Sequence, residues 1–438
     1  MKLIADFSKE KGLIRALNGM NFGPNISNQK NKNMNEDYTT LRIPYARLHD
    51  VPLSNPGMRL VDIQHIFGNF HADENDPRNY YFKATDDYIR NVRSCGTDII
   101  YRLGTSIEHS LDNYFAYPPE DMDKWVRICI NIVRHYNEGW ANGFSWNIKY
   151  WEVWNEPNAK PQMWSGSDEQ YMLLYAKFAR ALKEHDPSLK VGGPSLSCPV
   201  QPARWASPRK YTKDFLAYCK KENLPLDFFS WHCYPVDLAY IIEEPYRIKK
   251  ELEEAGFPDA ELHLNEWHFT KSWANTPEMK DGMHGINGID SACAVANILT
   301  AWQDSPLTMG NYYTAGSSGG WGIYDRYRQK YKTFYSHLAF AKMLEYPSRV
   351  AAESAREEIS ILAGRNEKNQ GAILVSCFES TEKSLTIELK NAMMENIKVQ
   401  VLDETRDLAE CAYTVKKNKI TLKKENASTL FLITGELL

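Results

Sequence analysis

The chain has 438 residues, room for one large domain and a smaller one, and at 43% hydrophobic and 25% charged it has the composition of a globular protein with a full core. Its formal net charge of -4 carries no polycationic signature, which argues against nucleic acid or an anionic membrane as the main partner. No apolar run reaches the length of a membrane span, and the start Met1-Lys2-Leu3-Ile4-Ala5-Asp6 meets charge too early for a secretory signal, so the expected location is the cytoplasm.

A strand-like piece, Leu3 to Phe7, comes first. From about residue 15 to 345, short apolar runs alternate with longer amphipathic segments, the pattern of repeated βα units. Strands are predicted at 16–22, 41–48, 97–103, 149–155, 189–193, 226–232, 261–266 and 309–314. Helices fall between them, among them 84–95, 120–138, 168–186, 210–222, 288–304 and 331–345. The fold class is therefore α/β, a (β/α)8 TIM barrel over residues 15–348. A doubly wound sheet would want a Gly-rich phosphate turn after its first strand, and Gly192-Gly193-Pro194 reads better as a tight turn. Beyond 348 the segments 358–363, 371–377, 384–389, 397–402, 411–415, 419–423 and 428–433 are short and alternating. They predict a C-terminal β-sandwich domain over 349–438, to which residues 1–14 are expected to add a strand.

The cysteines at 95, 129, 198, 219, 233, 293, 377 and 411 form no Cys-x-x-Cys pair and lie mostly in apolar runs. They read as buried free thiols rather than a disulfide frame or a zinc site, and no cofactor or metal is expected. The chain is rich in aromatics, with 12 tryptophans and 25 tyrosines, which suit the stacking of sugar faces as well as core packing.

Two segments carry chemistry. Tyr150-Trp151-Glu152-Val153-Trp154 alternates as a buried strand and is stopped by Asn155-Glu156-Pro157-Asn158, which presents a carboxylate at the carboxyl end of a strand. In an α/β barrel that end holds the catalytic side chains. Glu261-Leu262-His263-Leu264-Asn265-Glu266-Trp267-His268 is a second strand ending in a carboxylate beside an aromatic. Period-two alternation puts Leu262, Leu264, Glu266 and His268 on one face and Glu261, His263, Asn265 and Trp267 on the other. Two strand-end carboxylates are what glycoside hydrolysis needs: one protonates the leaving oxygen while the other attacks or activates water.

Trp154-Asn155-Glu156-Pro157-Asn158 resembles the acid/base motif of glycoside hydrolase family 39, the β-xylosidase and α-L-iduronidase family. Leu189 to Pro194 is similar to the family's fifth strand and turn, Leu226 to Tyr234 to its sixth strand, and Leu262 to Trp267 falls where the family carries its nucleophile. Arg47 and His49 match an Arg-x-His pair at the end of its second strand. The resemblance implies a retaining exo-glycosidase, most like a β-xylosidase acting on a small plant-type oligosaccharide, with Glu156 as acid/base and Glu266 as nucleophile. It implies substrate contacts from Arg47, His49, Asn155, His232, Tyr234 and Trp321. Members are often oligomeric, which leaves a homo-oligomer open.

Two departures bear on the sugar. The third strand ends Tyr101-Arg102-Leu103-Gly104, where the xylosidases carry an acidic residue; Arg102 could favour a uronic acid or pair with a nearby acid. After Tyr312 to Ala315 the chain runs straight into Gly316 to Gly320, where the xylosidases have a longer loop with two glutamates. Arabinoside, glucoside, galactoside and uronide are thus alternative substrates. Two other classes remain: a metal-dependent barrel hydrolase using His232, His263, Glu266 and His268, and a non-catalytic carbohydrate-binding barrel.

Overall fold

The computed structural model describes residues 1–24, 34–49, 60–106, 116–197, 208–270, 285–316, 321–325 and 327–438. Strand β1 (Lys2–Leu13) precedes eight parallel strands that close into a barrel. These are β2 (Gly19–Asn21), β3 (Tyr45–Arg47), β4 (Asp98–Leu103), β5 (Tyr150–Val153), β6 (Lys190–Ser197), β7 (Phe228–Cys233), β8 (Glu261–Trp267) and β9 (Met309–Tyr312). Each neighbours the next and β9 returns to β2, so the fold is a TIM barrel, as the alternation of apolar runs predicts.

The barrel's lower interior is filled by Ile100, Tyr150, Phe228 and Met309, with His263 stacked on Phe228 at 4.4 Å between ring centroids. Outward-facing residues such as Trp151, Val153 and Trp231 pack under the surrounding helices. One of those helices, Leu238–Ala255, is not among the predicted segments; it contains Pro245, which reads in sequence as a helix breaker.

The remaining strands are β10 (Ser348–Ser354), β11 (Ile359–Arg365), β12 (Gln370–Cys377), β13 (Ser384–Lys390), β14 (Met394–Leu402), β15 (Asp407–Glu410), β16 (Tyr413–Lys416), β17 (Lys419–Lys423) and β18 (Thr429–Leu437). Hydrogen bonds join them with β1 in the order β15-β14-β18-β12-β11-β10-β1-β13-β17-β16. Val399 of β14 and Ile420 of β17, far apart in that order, share one core with Leu3 and Ala5, so the sheet folds over on itself as a sandwich. β1 runs antiparallel to β10 (Leu3 opposite Ser354) and parallel to β13 (Lys2 opposite Thr386), which ties the amino terminus into the sandwich.

The sandwich lies directly against the barrel. Ser376 Oγ donates to the Cys293 carbonyl at 2.9 Å, and Ser360 Oγ to Asn297 Oδ1 at 2.6 Å, both on the helix Ile289–Ala301. That helix is apolar on nearly every side because the barrel covers one face and the sheet another.

Candidate active site

The site is assembled at the carboxyl end of the barrel. Laterally paired residues of parallel strands share a face, so Arg102 of β4 and Glu152 of β5, which are paired, both point inward. Arg47 ends β3, and its guanidinium is fully buried. Its Nε donates to Glu152 Oε2 at 2.6 Å and its Nη1 to Glu266 Oε1 at 2.8 Å; its Nη2 donates to Asn155 Oδ1 at 2.6 Å and Ser195 Oγ at 2.7 Å. A buried guanidinium needs such anionic and polar neighbours to offset its desolvation. Burial works against its charge, but Glu152 and Glu266 more than offset that and raise its pKa.

Glu156 follows β5 on a strained turn: Trp154 has φ +68° and Glu156 φ +44°, left-handed values that cost a non-glycine residue about 1–3 kcal/mol. The turn is held by its surroundings. Trp154 Nε1 donates to the Met163 carbonyl at 2.6 Å, and Asn158 bridges to the backbone of Ser197 through bonds of 3.0 and 3.1 Å. The Trp154 ring lies over Gly104, where any Cβ would come within 2.9 Å of it. Glu156 N donates to the Ser195 carbonyl at 3.0 Å, which locks the carboxylate's backbone to β6.

Glu266, at the top of β8, accepts from Arg47 and, at 2.7 Å, from the Tyr234 hydroxyl. Burial raises its pKa; His232, Arg47 and Tyr234 pull it down, and the Glu156 charge pushes it up. Burial and Glu266 keep the Tyr234 phenol far above its ordinary range, so it stays a donor. His232 Nδ1 lies 2.7 Å from Glu156 Oε1 and 3.3 Å from Glu266 Oε2, and burial drops its pKa to about 4, which leaves the ring neutral at pH 7. His49 is buried with Nε2 at 3.8 Å from Glu266 Oε1. Trp321 stands edge-on to Tyr234, with centroids 5.4 Å apart at 78°, and its carbonyl accepts from Thr314 N at 2.8 Å.

Arg47, His49, Asn155, Glu156, His232, Tyr234, Glu266 and Trp321 therefore converge on one place. Residues 104–315 match the model of "Glycosyl hydrolases family 39". That match spans just under half of the chain, which is thus similar to glycosyl hydrolase family 39. A "Beta-xylosidase" from Caldicellulosiruptor saccharolyticus is 33% identical over 213 residues, 45% of this chain and 39% of that protein. A second, from Geobacillus stearothermophilus, is 28% identical over 178 residues, 36% of this chain and 33% of that one. The chain thus spans about a third to two fifths of the length of the curated relatives it matches. Among solved structures, a glucosidase from Croceicoccus marinus superposes with a TM-score of 0.79 over 99% of both chains at 21% identity. A monomeric beta-xylosidase from Caulobacter crescentus CB15 gives 0.71 over 99% of both at 16%. These superpositions carry the fold, barrel and sandwich together.

The sequence reading missed Glu152, Asn265 and Ser195. Asn265 donates to Glu152 Oε1 and, at 3.1 Å, to Ser195 Oγ. The alternation expected for β8 is also corrected. A register shift between Trp231/His232 and their partners leaves Asn265 as an extra residue, so His263, Asn265 and Glu266 all face the barrel interior, while Leu264 and Trp267 face the helices. His263 still lies apart from the carboxylate pair, deep among Tyr150 and Phe228 and bonded to Glu261 at 3.0 Å.

Arg102 takes the second of its two expected roles: its Nη2 donates to Asp62 Oδ1 at 2.5 Å, and Asp62 also accepts from Ser106 N and Oγ, both at 2.9 Å. The shortened loop after Ala315 lies largely outside the described residues, at 317–320. Cys198 does too; the other cysteines form no disulfide among the described residues, and all but Cys411 are buried.

Among the described residues, Glu156, His232 and Glu266 offer ligand atoms within 4.8 Å of one another, a spacing an ion could bridge. The donors already present disfavour one. Arg47 and Tyr234 both donate to Glu266, and a cation there would sit beside a buried guanidinium. His268, another ligand type, accepts from the Tyr312 hydroxyl at 2.6 Å, and its Nδ1 faces the Phe269 carbonyl at 3.0 Å.

Proposed function

We propose that this chain is a family 39 retaining exo-glycosidase that releases a terminal sugar from a small oligosaccharide by double displacement, with β-xylosidase-like specificity. Residues 15–348 are assigned to the catalytic barrel, and 349–438 with the strand from 1–14 to an accessory sandwich. One observation carries the reading: oxygens of Glu156 and Glu266 and a nitrogen of His232 lie within 4.8 Å of one another. Retention calls for carboxyl groups about 5–5.5 Å apart, whereas inversion leaves about 6.5–9.5 Å for a water. The β-xylosidase relatives support the same class of sugar.

In the first step a Glu266 oxygen attacks the anomeric carbon as the glycosidic bond breaks, and the departing oxygen takes the proton of Glu156. In the second step Glu156, now a carboxylate, takes a proton from water, whose oxygen displaces Glu266. Arg47 favours an ionised Glu266. The pair Glu152 and Glu266 already faces this single guanidinium, so a third negative charge on Glu156 is disfavoured and the resting proton belongs there. Asn155 spends its carbonyl oxygen on Arg47, which leaves the amide nitrogen for the sugar 2-hydroxyl. His49 binds a hydroxyl, and Trp321 forms a stacking floor for the ring.

Turnover of a panel of 4-nitrophenyl glycosides (β-xyloside, α-L-arabinoside, β-glucoside, β-galactoside and glucuronide) tests the proposal. The β-xyloside is expected to turn over fastest, unaffected by chelator. Inertness towards all five, or activity lost with EDTA and restored by metal, would overturn it.

A further inference from the structure

Two barrel strands carry one extra residue each at the level of the carboxylates. Pro194 pairs with Ser230 and Leu196 with Trp231, so Ser195 bulges from β6; Asn265 bulges from β8 in the same way. Ser195 has φ +58°, the left-handed value such a bulge imposes. The two extra side chains meet inside the barrel.

The Ser195 hydroxyl has two lone pairs and one proton. Arg47 Nη2 at 2.7 Å is a donor only. Asn265 presents its amide nitrogen because the same nitrogen faces Glu152, which accepts only, and it reaches Ser195 Oγ at 3.1 Å. Both lone pairs are thus taken. The single proton has two acceptors within reach: Asn155 Oδ1 at 3.2 Å, already bonded by Arg47 at 2.6 Å, and His232 Nε2 at 2.7 Å. The shorter contact wins. A proton on His232 Nε2 would meet no lone pair there.

We infer that Ser195 is a positioning residue: its hydroxyl proton fixes His232 as the Nδ1–H tautomer, so that a donor always points at Glu156 Oε1 and, more weakly, at Glu266 Oε2. This rests on the acid/base role proposed for Glu156. With Oε1 occupied by a donor, the transferable proton of Glu156 is left to Oε2. In the opposite tautomer the Nδ1 lone pair would accept that proton and hold it away from the glycosidic oxygen.

The test is the protonation pattern of His232, read by nitrogen-15 NMR of histidine-labelled, substrate-free protein at pH 7 and assigned by its loss in His232→Gln. Wild type is expected to show a protonated Nδ1 and a bare Nε2, and Ser195→Thr to keep that pattern. Ser195→Ala is expected to move population to Nε2–H, raise the basic limb of the kcat/KM profile by about one pH unit, and hit substrates with poor leaving groups hardest. A protonated Nε2 in the wild type would overturn the inference with no variant needed, as would an unchanged tautomer in a folded Ser195→Ala protein. Because the spectrum needs no turnover, its failure is distinct from an inactive glycoside panel.

Discussion

Arg47 and Glu266 form an ion pair of 2.8 Å whose guanidinium is wholly enclosed and is held from below by Glu152 at 2.6 Å. One planar cation thereby spans two carboxylates, an asparagine and a serine, a geometry that a lysine ammonium cannot reproduce. Arg47→Lys is expected to lower kcat/KM on the order of a hundredfold. It should also move the acidic limb of the pH profile upward, because a shorter-reaching ammonium cannot donate to Glu152 and Glu266 together, which weakens the pull that lowers the Glu266 pKa. An unmoved limb in the pH–rate profile would separate Arg47 from the ionisation of Glu266.

Glu156→Ala should discriminate between leaving groups. Aryl glycosides with activated phenols need little protonation and are expected to keep most of their kcat/KM, which reports the first step, whereas oligosaccharides should lose about 10²–10⁴-fold. A Brønsted series of aryl glycosides measures this directly; equal losses along the series would exclude Glu156 as the acid.

A second titrating carboxyl lies behind the site. Glu244, on the helix Leu238–Ala255, is fully buried and accepts from Trp231 Nε1 at 3.1 Å and the Tyr240 hydroxyl at 3.2 Å. Burial pushes its pKa up to about 7. Between the unfolded value near 4.3 and that figure the unfolded chain binds fewer protons, so stability falls as pH rises through the window. The full penalty, ~4 kcal/mol, applies above it. Glu244→Gln keeps an acceptor for the indole and is expected to raise Tm at pH 8 but hardly at pH 4. An equal shift at both pH values would contradict this.

The Arg102–Asp62 pair is buried at both ends. Asp62→Ala strands the guanidinium and is expected to cost about 3–5 kcal/mol, and adding Arg102→Met should recover most of that. Chemical denaturation of the single and double variants measures the coupling. Since the Asp62 carboxylate balances the Arg102 charge through Nη2, the wild type is expected to show no preference for glucuronide over β-xyloside.

Much of this architecture is legible in the sequence because barrel strands are apolar runs bounded by turns, and because Glu156 and Glu266 each end an aromatic strand. Glu152 left a signal that was not used: a carboxylate in mid-strand between Trp151 and Val153 must find a buried partner. Ser195 and Asn265 left none. Strict period two sends Asn265 and Glu266 to opposite faces, and only the bulge in β8 turns both inward. The helix over Glu244 was hidden by Pro245, whose missing N–H the helix tolerates.

The pairing of Glu156 with Glu266 is tested most directly by trapping. The active glycoside of the panel, made as its 2-deoxy-2-fluoro analogue with a good leaving group, slows the second step and lets the glycosyl-enzyme accumulate. Mass analysis of peptides from the inactivated protein should find one added fluorosugar, on Glu266. A label on any other residue, or inversion of the anomeric centre in the product of the natural reaction, would contradict the account.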